Sequence, residues 1–573
     1  MSKTIQRRVL AEPAALPADL HPLLRRIYAA RGVQDASELA LTLDHLIPVS
    51  QLGGTSAAAE LLCDHFRRGS SIMVVGDFDA DGATSTALVV RHLTRLGFAR
   101  VEFLVPNRFE YGYGLTPEIV RLAAERRPDV IITVDNGMSS LAGVEEARTL
   151  GIQTIITDHH LPGPELPAAA VIVNPNAPGE RFASKALAGV GVAFYVMAAL
   201  TRQMQAQGLC AEKISVADLL DLVALGTVAD LVPLDRNNRI LVHQGLRRIR
   251  AGRCVAGLRA LLESSNRVLG ETIASDLGYQ IGPRLNAAGR LDDMTIGVRC
   301  LLADDPASAR MLAGRLAQLN QDRRELELQM QQEAMAAIES MLAQGGRLPL
   351  GLCLYDETWH QGVVGLVASR VKDRVHRPVI ALARGDERTL KGSARSVSGV
   401  HIRDVLDAIA KRHPGLIEKF GGHAMAAGLT LGADRLEDFR AAFDAEVGRW
   451  ISAEDAIGVL YSDGELSRSE LTIEVARLLR ESGPWGQAFP EPLFDGAFRV
   501  RGVRVICERH LRLDVCGEDG CTCEAIAFRH FDHADAPLVK PEDRVELAYR
   551  LEVNQFNGTQ KVQLVVEHLR VVS

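Results

Sequence analysis

Between residues 71 and 175, short apolar runs alternate with longer amphipathic ones. SIMVVG (71–76), VEFLV (101–105), DVIITV (129–134), IQTIIT (152–157) and AAVIV (169–173) read as strands. Helices are expected between them at 83–96, 116–126 and 139–150. Apolar strands separated by helices predict βαβ units and a parallel sheet. Segments 185–207 and 215–228 read as helices packed beside it.

From 305 to about 343 the pattern changes to one long helix. Leu312, Leu316, Leu319, Leu326, Met330, Ala337 and Met341 recur at three-four spacing, which predicts one buried stripe. At 1.5 Å per residue such a helix spans about 50 Å. It reads equally as a core helix or as a connector between two α/β segments. A second α/β unit follows from 349 to about 450, with LGLCLY, a helix from Gly362, and PVIALA. Over the last stretch, FRVRGVRVICE, LRLDVC, EAIAF, RVELAYRLEV and KVQLVVEHL alternate apolar and polar residues, with turn signals such as Asn557-Gly558 between them. An antiparallel β unit small enough for a barrel is expected there.

Length and composition narrow the class. A chain of 573 residues is too long for one core and predicts roughly three to five units. Hydrophobic content of 47% and charged content of 24% are those of a soluble globular protein. No apolar run approaches the ~20 residues of a membrane helix. The N-terminal stretch lacks an apolar signal-peptide core, so no secretory signal is expected. Nine scattered cysteines argue for a reducing compartment, and a cytoplasmic location is expected. Cys507, Cys516, Cys521 and Cys523 lack a paired CxxC, so a zinc site is not favoured. The net charge of −7 looks wrong for a nucleic-acid partner, but metal-binding carboxylates contribute negative charge that bound cations cancel. The basic run Arg247, Arg248, Arg250 and Arg253 reads as a solvated helix face.

The candidate chemistry lies at strand ends. In a parallel α/β sheet, ligands bind at the carboxyl ends of strands. The first strand runs into Asp77-Phe78-Asp79-Ala80-Asp81-Gly82. Three buried carboxylates so close would repel strongly without a cation. A calcium loop begins with similar spacing, but the preceding apolar strand, the following helix and the missing Glu beyond Gly82 do not fit it. DVIITV ends in Asp135-Asn136-Gly137, and IQTIIT ends in Asp158-His159-His160. Three strands thus present Asp or His at one sheet edge. Carboxylates with an occasional imidazole suit Mn²⁺ or Mg²⁺. Asp230, after the apolar run DLLDLVALGTVAD, is a further candidate ligand, although alone it reads as a helix-end acid.

DFDADG, VDNG, TDHH and GTVAD together resemble the four motifs of the DHH phosphoesterases. Trp359–Gly365, Ser393-Ala394-Arg395 and the run from Gly421 to Gly428 look like that family's second, DHHA1-like domain. The β-rich end sits where the RecJ exonucleases of the family carry an OB-fold. The resemblance implies an α/β DHH domain (50–304) after an N-terminal segment (1–49), a connecting helix (305–346), a DHHA1-like domain (347–455) and an OB-fold barrel (456–573).

It also implies function. Asp77, Asp79, Asp81, Asp135, His159 and Asp230 would hold two divalent metal ions, Mn²⁺ or Mg²⁺, with Asp135 between them. His160 would touch the scissile phosphate or protonate the leaving group, and Asp158 would orient an imidazole. Arg108, Tyr113, Arg284, His360, Ser393, Arg395, Gly421, Gly422 and His423 would receive the DNA and its 5′ phosphate, with Tyr111 either stacking on a base or packing its loop. Phe498, Phe528, Phe531 and Phe556 are available in the barrel for stacking or for its core. The implied activity is metal-dependent 5′→3′ hydrolysis of single-stranded DNA to mononucleotides, in recombination and repair, by a monomer working with single-stranded-DNA-binding protein and a helicase. Two other readings remain: a DHH hydrolase of short oligonucleotides or cyclic dinucleotides, and a non-catalytic replication scaffold. The first would need only two domains, and the second would have lost metal ligands.

Overall fold

The computed structural model describes residues 4–9, 16–107, 110–112, 114–211, 213–343, 348–451, 458–517, 520–532, 536–556 and 558–572. The chain forms two compact units interleaved along the sequence. One holds residues 9–320 and 474–492, the other 1–8, 321–473 and 493–573. The opening strand β1 (Thr4–Arg7) belongs to the second of these.

The acid-bearing unit is built on a parallel sheet of β2 (Ser71–Val75), β3 (Arg100–Leu104), β4 (Val130–Val134), β5 (Gln153–Thr157) and β6 (Val171–Val173), in the order β3-β2-β4-β5-β6. β2 and β4 are buried at every position, which is why they read as unbroken apolar runs. The order changes direction between β2 and β4, the point at which open parallel sheets bind ligands at the carboxyl ends of their strands. The helix expected from 83 begins earlier, at Ala80, and runs to Leu96. Asp79 caps it by accepting the Gly82 N–H at 3.0 Å, so the acid motif is itself the helix start. Thr116 caps the Pro117–Ala124 helix in the same way.

A segment distant in sequence completes this unit. Residues 474–492 bring Trp485 and Phe489, whose rings stack with centroids 5.3 Å apart and sit beside Tyr28. Arg31 lies over Trp485 and Arg239 over Phe489, at 5.2 and 4.3 Å. Tyr28 Oη donates to Ser482 O, and Leu234 N–H donates to Gln487 O at 2.8 Å each. Leu234 follows Asp230 by one short turn, so this strap pins the loop leaving Asp230.

Inside the same unit His92 is fully buried on the Ala80–Leu96 helix. Thr201 Oγ1 donates to Met197 O and accepts from His92 Nε2 at 2.6 Å, which leaves the proton on Nε2 and Nδ1 buried without a hydrogen-bond partner. Burial, then the charge of Arg95, pushes the imidazole down to about 4 from 6.5. The unfolded chain takes up a proton here below about pH 6.5, whereas the fold resists until about 4. Stability at this residue is therefore full above 6.5 and is lost as pH falls toward 4. Replacing His92 by Gln is expected to flatten that acid-side loss, on the order of 3 kcal/mol, in urea melts between pH 4 and 7. Equal pH slopes for both proteins would refute it.

In the other unit, β7 (Leu352–Tyr355), β8 (Val379–Arg384), β9 (Thr389–Arg395), β10 (Lys419–Gly422) and β11 (Ala426–Gly432) form a mixed sheet ordered β10-β11-β9-β8-β7. β1 pairs in parallel with β12 (Val459–Ser462). Arg7 forks onto Asp495 at 2.7–3.1 Å, at the start of the barrel. That barrel is closed and contains β13 (Phe494–Ile506), β14 (His510–Gly517), β15 (Thr522–Ala527), β16 (Arg544–Phe556) and β17 (Thr559–Val572), in the order β13-β14-β15-β17-β16. Phe494, Phe498 and Tyr549 fill its interior. Phe528 is exposed beside His510 and Phe531 is half-buried, while the side chain of Phe556 lies outside the described residues.

The long helix runs from Pro306 to Ala343. Its buried stripe differs from the one the apolar spacing predicts. Ala309, Ala313, Leu316, Leu319, Arg323, Glu327, Met330, Ala334 and Ile338 are buried, whereas Ala337 is exposed and Leu312, Leu326 and Met341 are half-buried. In the middle of the helix the displacement reflects a buried ion pair. Arg323 bonds Glu327, which Arg370 also reaches at 2.9 Å, so two charged residues occupy core positions that a hydropathy pattern assigns to solvent. No helix among the described residues is long and apolar enough to cross a membrane.

Candidate metal centre

The loop after β2 carries Asp77, and the helix that follows carries Asp79 and Asp81 at its first turn. Asp77 Oδ1 accepts from Phe78 N–H at 2.8 Å. Asp81 is buried, and its two oxygens accept the backbone N–H groups of Gly189 (2.7 Å) and Val190 (2.9 Å), the start of the Gly189–Ala206 helix. Asp135 follows β4 with φ at +61°, a left-handed conformation that an Asp tolerates better than most residues. Gly189 and Gly226 pack so close that an added methyl would meet Asp135 at 2.5 Å and Asp81 at 2.7 Å.

Beyond β5, Asp158 is wholly buried and organises both histidines. Its Oδ1 accepts His159 N–H (2.7 Å), His160 N–H (3.1 Å) and His160 Nδ1–H (2.7 Å), and its Oδ2 accepts Met138 N–H at 2.9 Å. His159 Nε2 comes within 3.2 Å of Asp135 and 3.5 Å of Asp230, which caps the end of the Leu220–Ala229 helix. The ligand atoms fall into overlapping triads, each within 4.8 Å: Asp77, Asp79 and Asp135; Asp81, His159 and Asp230; and Asp135, His159 and His160.

Electrostatics follows from the crowding. Burial, then the charge of Asp79, raises Asp81 to about 7. Burial and the neighbouring aspartates push Asp135 and Asp230 well above the usual carboxylate range. Burial would depress His160, but its bond to Asp158 and that carboxylate's charge outweigh the effect and raise it to about 9. Burial would likewise raise Asp158, but the bond to His160 and that ring's charge hold it below the ordinary value. Five carboxylates that repel one another around an imidazole fit divalent cations bound through oxygen and nitrogen, and this donor set matches Mn²⁺ or Mg²⁺. Among the described residues, no cysteine joins a metal-binding group, and all nine cysteines are free.

Several residues that support the cluster were not singled out in the sequence. Asn286 Oδ1 accepts Ala80 N–H at 2.7 Å. Asn174 and Asn176 hold the carbonyls of His160 (2.9 Å) and His159 (2.6 Å), and Asn136 bridges Val75 O and Val134 O. The signal was present as polar residues inside the apolar context of NPN and RLNAAGR, but nothing in their spacing links them to the acids. Arg284, on the Gly282–Leu291 helix, donates to Ser264 Oγ at 2.6 Å. Tyr111 packs its ring against the core under the sheet, while Arg108 and Tyr113 lie outside the described residues.

The second unit gathers the remaining predicted contacts by itself. Register places Gly421, Gly428 and Ser393 in one row across β10, β11 and β9. Arg395, two residues along β9, donates to Ser393 Oγ and to Ala394 O at 2.8 Å each. Gly365, on the helix above, leaves room for both: a methyl there would sit 2.9 Å from each. His360 precedes that helix and accepts Gly362 N–H through Nδ1. Gly422 has φ at +144° with Ala426 O pressed against it, and His423 N–H donates to that same carbonyl.

Three family models match the chain: the DHH family N-terminal domain over 71–227, the DHHA1 domain over 349–449 and the RecJ OB domain over 462–568. The single-stranded-DNA-specific exonuclease RecJ of Dickeya dadantii is 54% identical over 99% of this chain and 98% of its own length. The protein of that name from Escherichia coli is 52% identical with the same coverage. The crystal structure of RecJ in complex with Mn²⁺ from Thermus thermophilus superposes with a TM-score of 0.80 at 31% identity, covering 99% of this chain and 79% of that one. With its acid cluster, its mixed-sheet domain and its closed barrel all matched in order, the chain belongs to the RecJ family of DHH proteins.

Proposed function

We propose that this chain is a metal-dependent exonuclease that degrades single-stranded DNA from the 5′ end to mononucleotides. The observation that carries the reading is the overlap of three ligand triads around Asp135 and His159. Support for the substrate comes from RecJ relatives named for single-stranded DNA, 52–54% identical over nearly the whole chain.

Two divalent ions held by Asp77, Asp79, Asp81, Asp135, His159 and Asp230 would supply the positive charge that activates water and stabilises the leaving oxygen. The chain's own residues do the rest. Asp135 belongs to both the Asp77–Asp79 group and the His159 group, a position suited to bridging. The backbone N–H groups of Gly189 and Val190 fix the Asp81 carboxylate. His160, raised to about 9, stays protonated at neutral pH and is poised to contact the scissile phosphate or give its proton to the leaving oxygen. Asp158 holds that ring in place without joining the ion-binding set.

In the mixed-sheet domain, Ser393, Arg395, His360, Gly421, Gly422 and His423 take the 5′ phosphate, with Arg284, Arg108 and Tyr113 as further DNA contacts. The Arg395 fork suits a phosphate geometrically, and small residues let backbone N–H groups approach it. Arg395→Ala is expected to raise KM about tenfold for a 5′-phosphorylated strand, with little change in kcat, and to narrow the preference over a 5′-hydroxyl strand. A fall in kcat with unchanged KM would place Arg395 elsewhere in the mechanism. The barrel would hold single-stranded DNA, with exposed Phe528 as a stacking platform. In the same reading the protein acts as a monomer in the cytoplasm, in recombination and repair, beside single-stranded-DNA-binding protein and a helicase.

The decisive experiment digests 5′- and 3′-labelled single and double strands with Mn²⁺, with Mg²⁺ and with chelator. Release of 5′-labelled mononucleotide from single strands only, abolished by chelator, is the expected result. Activity confined to two- to five-mers would instead make this a short-oligonucleotide hydrolase. The barrel and long helix, which such an enzyme does not need, favour the longer substrate.

A further inference from the structure

The Ala80–Leu96 helix has two chemically opposite ends. Asp81 sits at its start, and Arg91 and Arg95 lie about 15 and 21 Å further along it. That far end borders a cavity of about 720 Å³ contained in the acid-bearing unit. Seven Lys and Arg side chains line it against Asp218, Glu263 and Asp304.

Three of the cations are engaged. Arg91 pairs with Asp304 at 2.7 Å and donates to Leu301 O. Arg248 lies 3.2 Å from Asp218, although its Nε is buried without a hydrogen-bond partner. Arg259 donates to Gly252 O at 2.6 Å. The side chains of Arg95, Lys213, Arg253 and Arg310 make no hydrogen bond or ion pair among the described residues. Of the three acids, Glu263 alone is not held by one of these arginines. A single exposed arginine is content in water, but several around one concavity raise the local potential and draw an anion. The run of arginines expected to be a solvated helix face therefore divides. Arg248 and Arg253 line this cavity, and Arg250 turns inward to Thr272 O. Ile214, Val255, Ala256, Ala260 and Pro306 give the same cavity an apolar wall. Its volume falls in the range of small-ligand sites, and its mixture of cations and apolar surface suits a ligand with several phosphates and a flat ring.

We propose that this cavity binds a nucleoside polyphosphate, with the unpaired cations on the phosphates and the apolar wall against the base. It is separate from the acid cluster and needs no divalent metal.

The test uses the full-length protein in EDTA, so that the aspartates cannot hold nucleotide through an ion. Binding of dATP is measured calorimetrically for the parent, for Arg95→Glu/Arg253→Glu, and for Asp135→Asn. The charge-reversed residues are exposed, and unchanged nuclease activity in Mn²⁺ shows that their variant is folded. The expected result is saturable binding, weakened at least tenfold by the charge reversals and untouched by Asp135→Asn. Inorganic triphosphate should compete and adenosine should not. No saturation below millimolar dATP, equal binding in the charge-reversed protein, or competition by adenosine alone would each overturn the proposal. So would displacement by a 20-nucleotide strand without terminal phosphates at equal phosphate concentration, because the cavity would then track a polymer backbone.

Discussion

Replacing Asp135 by Asn is expected to reduce exonuclease turnover at least a thousandfold while making the metal-free protein more stable. Both effects come from one carboxylate. Asp135 is buried among Asp81, Asp79, Asp230 and Asp77, and its proton affinity is raised by that company. An Asn of the same shape keeps the packing and removes the charge, but it coordinates a divalent ion poorly, and the charge stabilisation that ions provide in such sites is worth several kcal/mol. The stability effect has a definite sign with pH. The folded acid keeps a proton that the unfolded chain releases above about pH 4, so the metal-free parent loses stability as pH rises. Each tenfold difference in proton affinity is worth about 1.4 kcal/mol. The variant should therefore melt higher than the parent at pH 7.5 in EDTA, and the two should converge near pH 4. Mn²⁺ should reverse the order by stabilising the parent alone. A variant that melts lower than the parent throughout would show that the cluster is not under electrostatic strain.

The second large effect is expected at a residue that touches no ligand. A methyl on Gly289 would lie 1.8 Å from Phe78 O, inside the Asp77–Asp81 loop. Backbone cannot rotate out of the way as a side chain can, so Gly289→Ala must push the loop or the Gly282–Leu291 helix. Displacement of a catalytic group by about 1 Å costs on the order of a hundredfold in rate, and overpacking costs about 1–3 kcal/mol in stability. We expect kcat to fall about a hundredfold and the apparent affinity for Mn²⁺ to weaken, both read in single-strand digestion across a Mn²⁺ titration. Unaltered kcat with a lowered melting temperature would mean that the helix yields and the loop does not.

These two residues mark the limits of what the sequence discloses. Asp135 is legible because a continuous apolar strand delivers it to a sheet edge beside two other strands that end in Asp or His. The sheet, the long helix and the barrel are legible for the same reason, since each imposes a period on neighbouring residues. Gly289, Asn286 and Asn174 act across more than a hundred residues of sequence or between irregular segments, and contact at that separation leaves no period. The long helix shows the same limit from the other side. Its buried Arg323 and Glu327 satisfy each other across one helical turn, and hydropathy cannot distinguish such a pair from a solvated one.

The strap of residues 474–492 sets a rule for dissecting the molecule. A cut placed before it to remove the barrel would also strip Trp485 and Phe489 from Tyr28, and release the Leu234–Gln487 bond beside Asp230. The protein is thus wired like a belt through two loops rather than strung like beads. A deletion series would report the barrel's contribution to DNA binding and the strap's contribution to the metal centre as one loss, unless the strap is retained or grafted back.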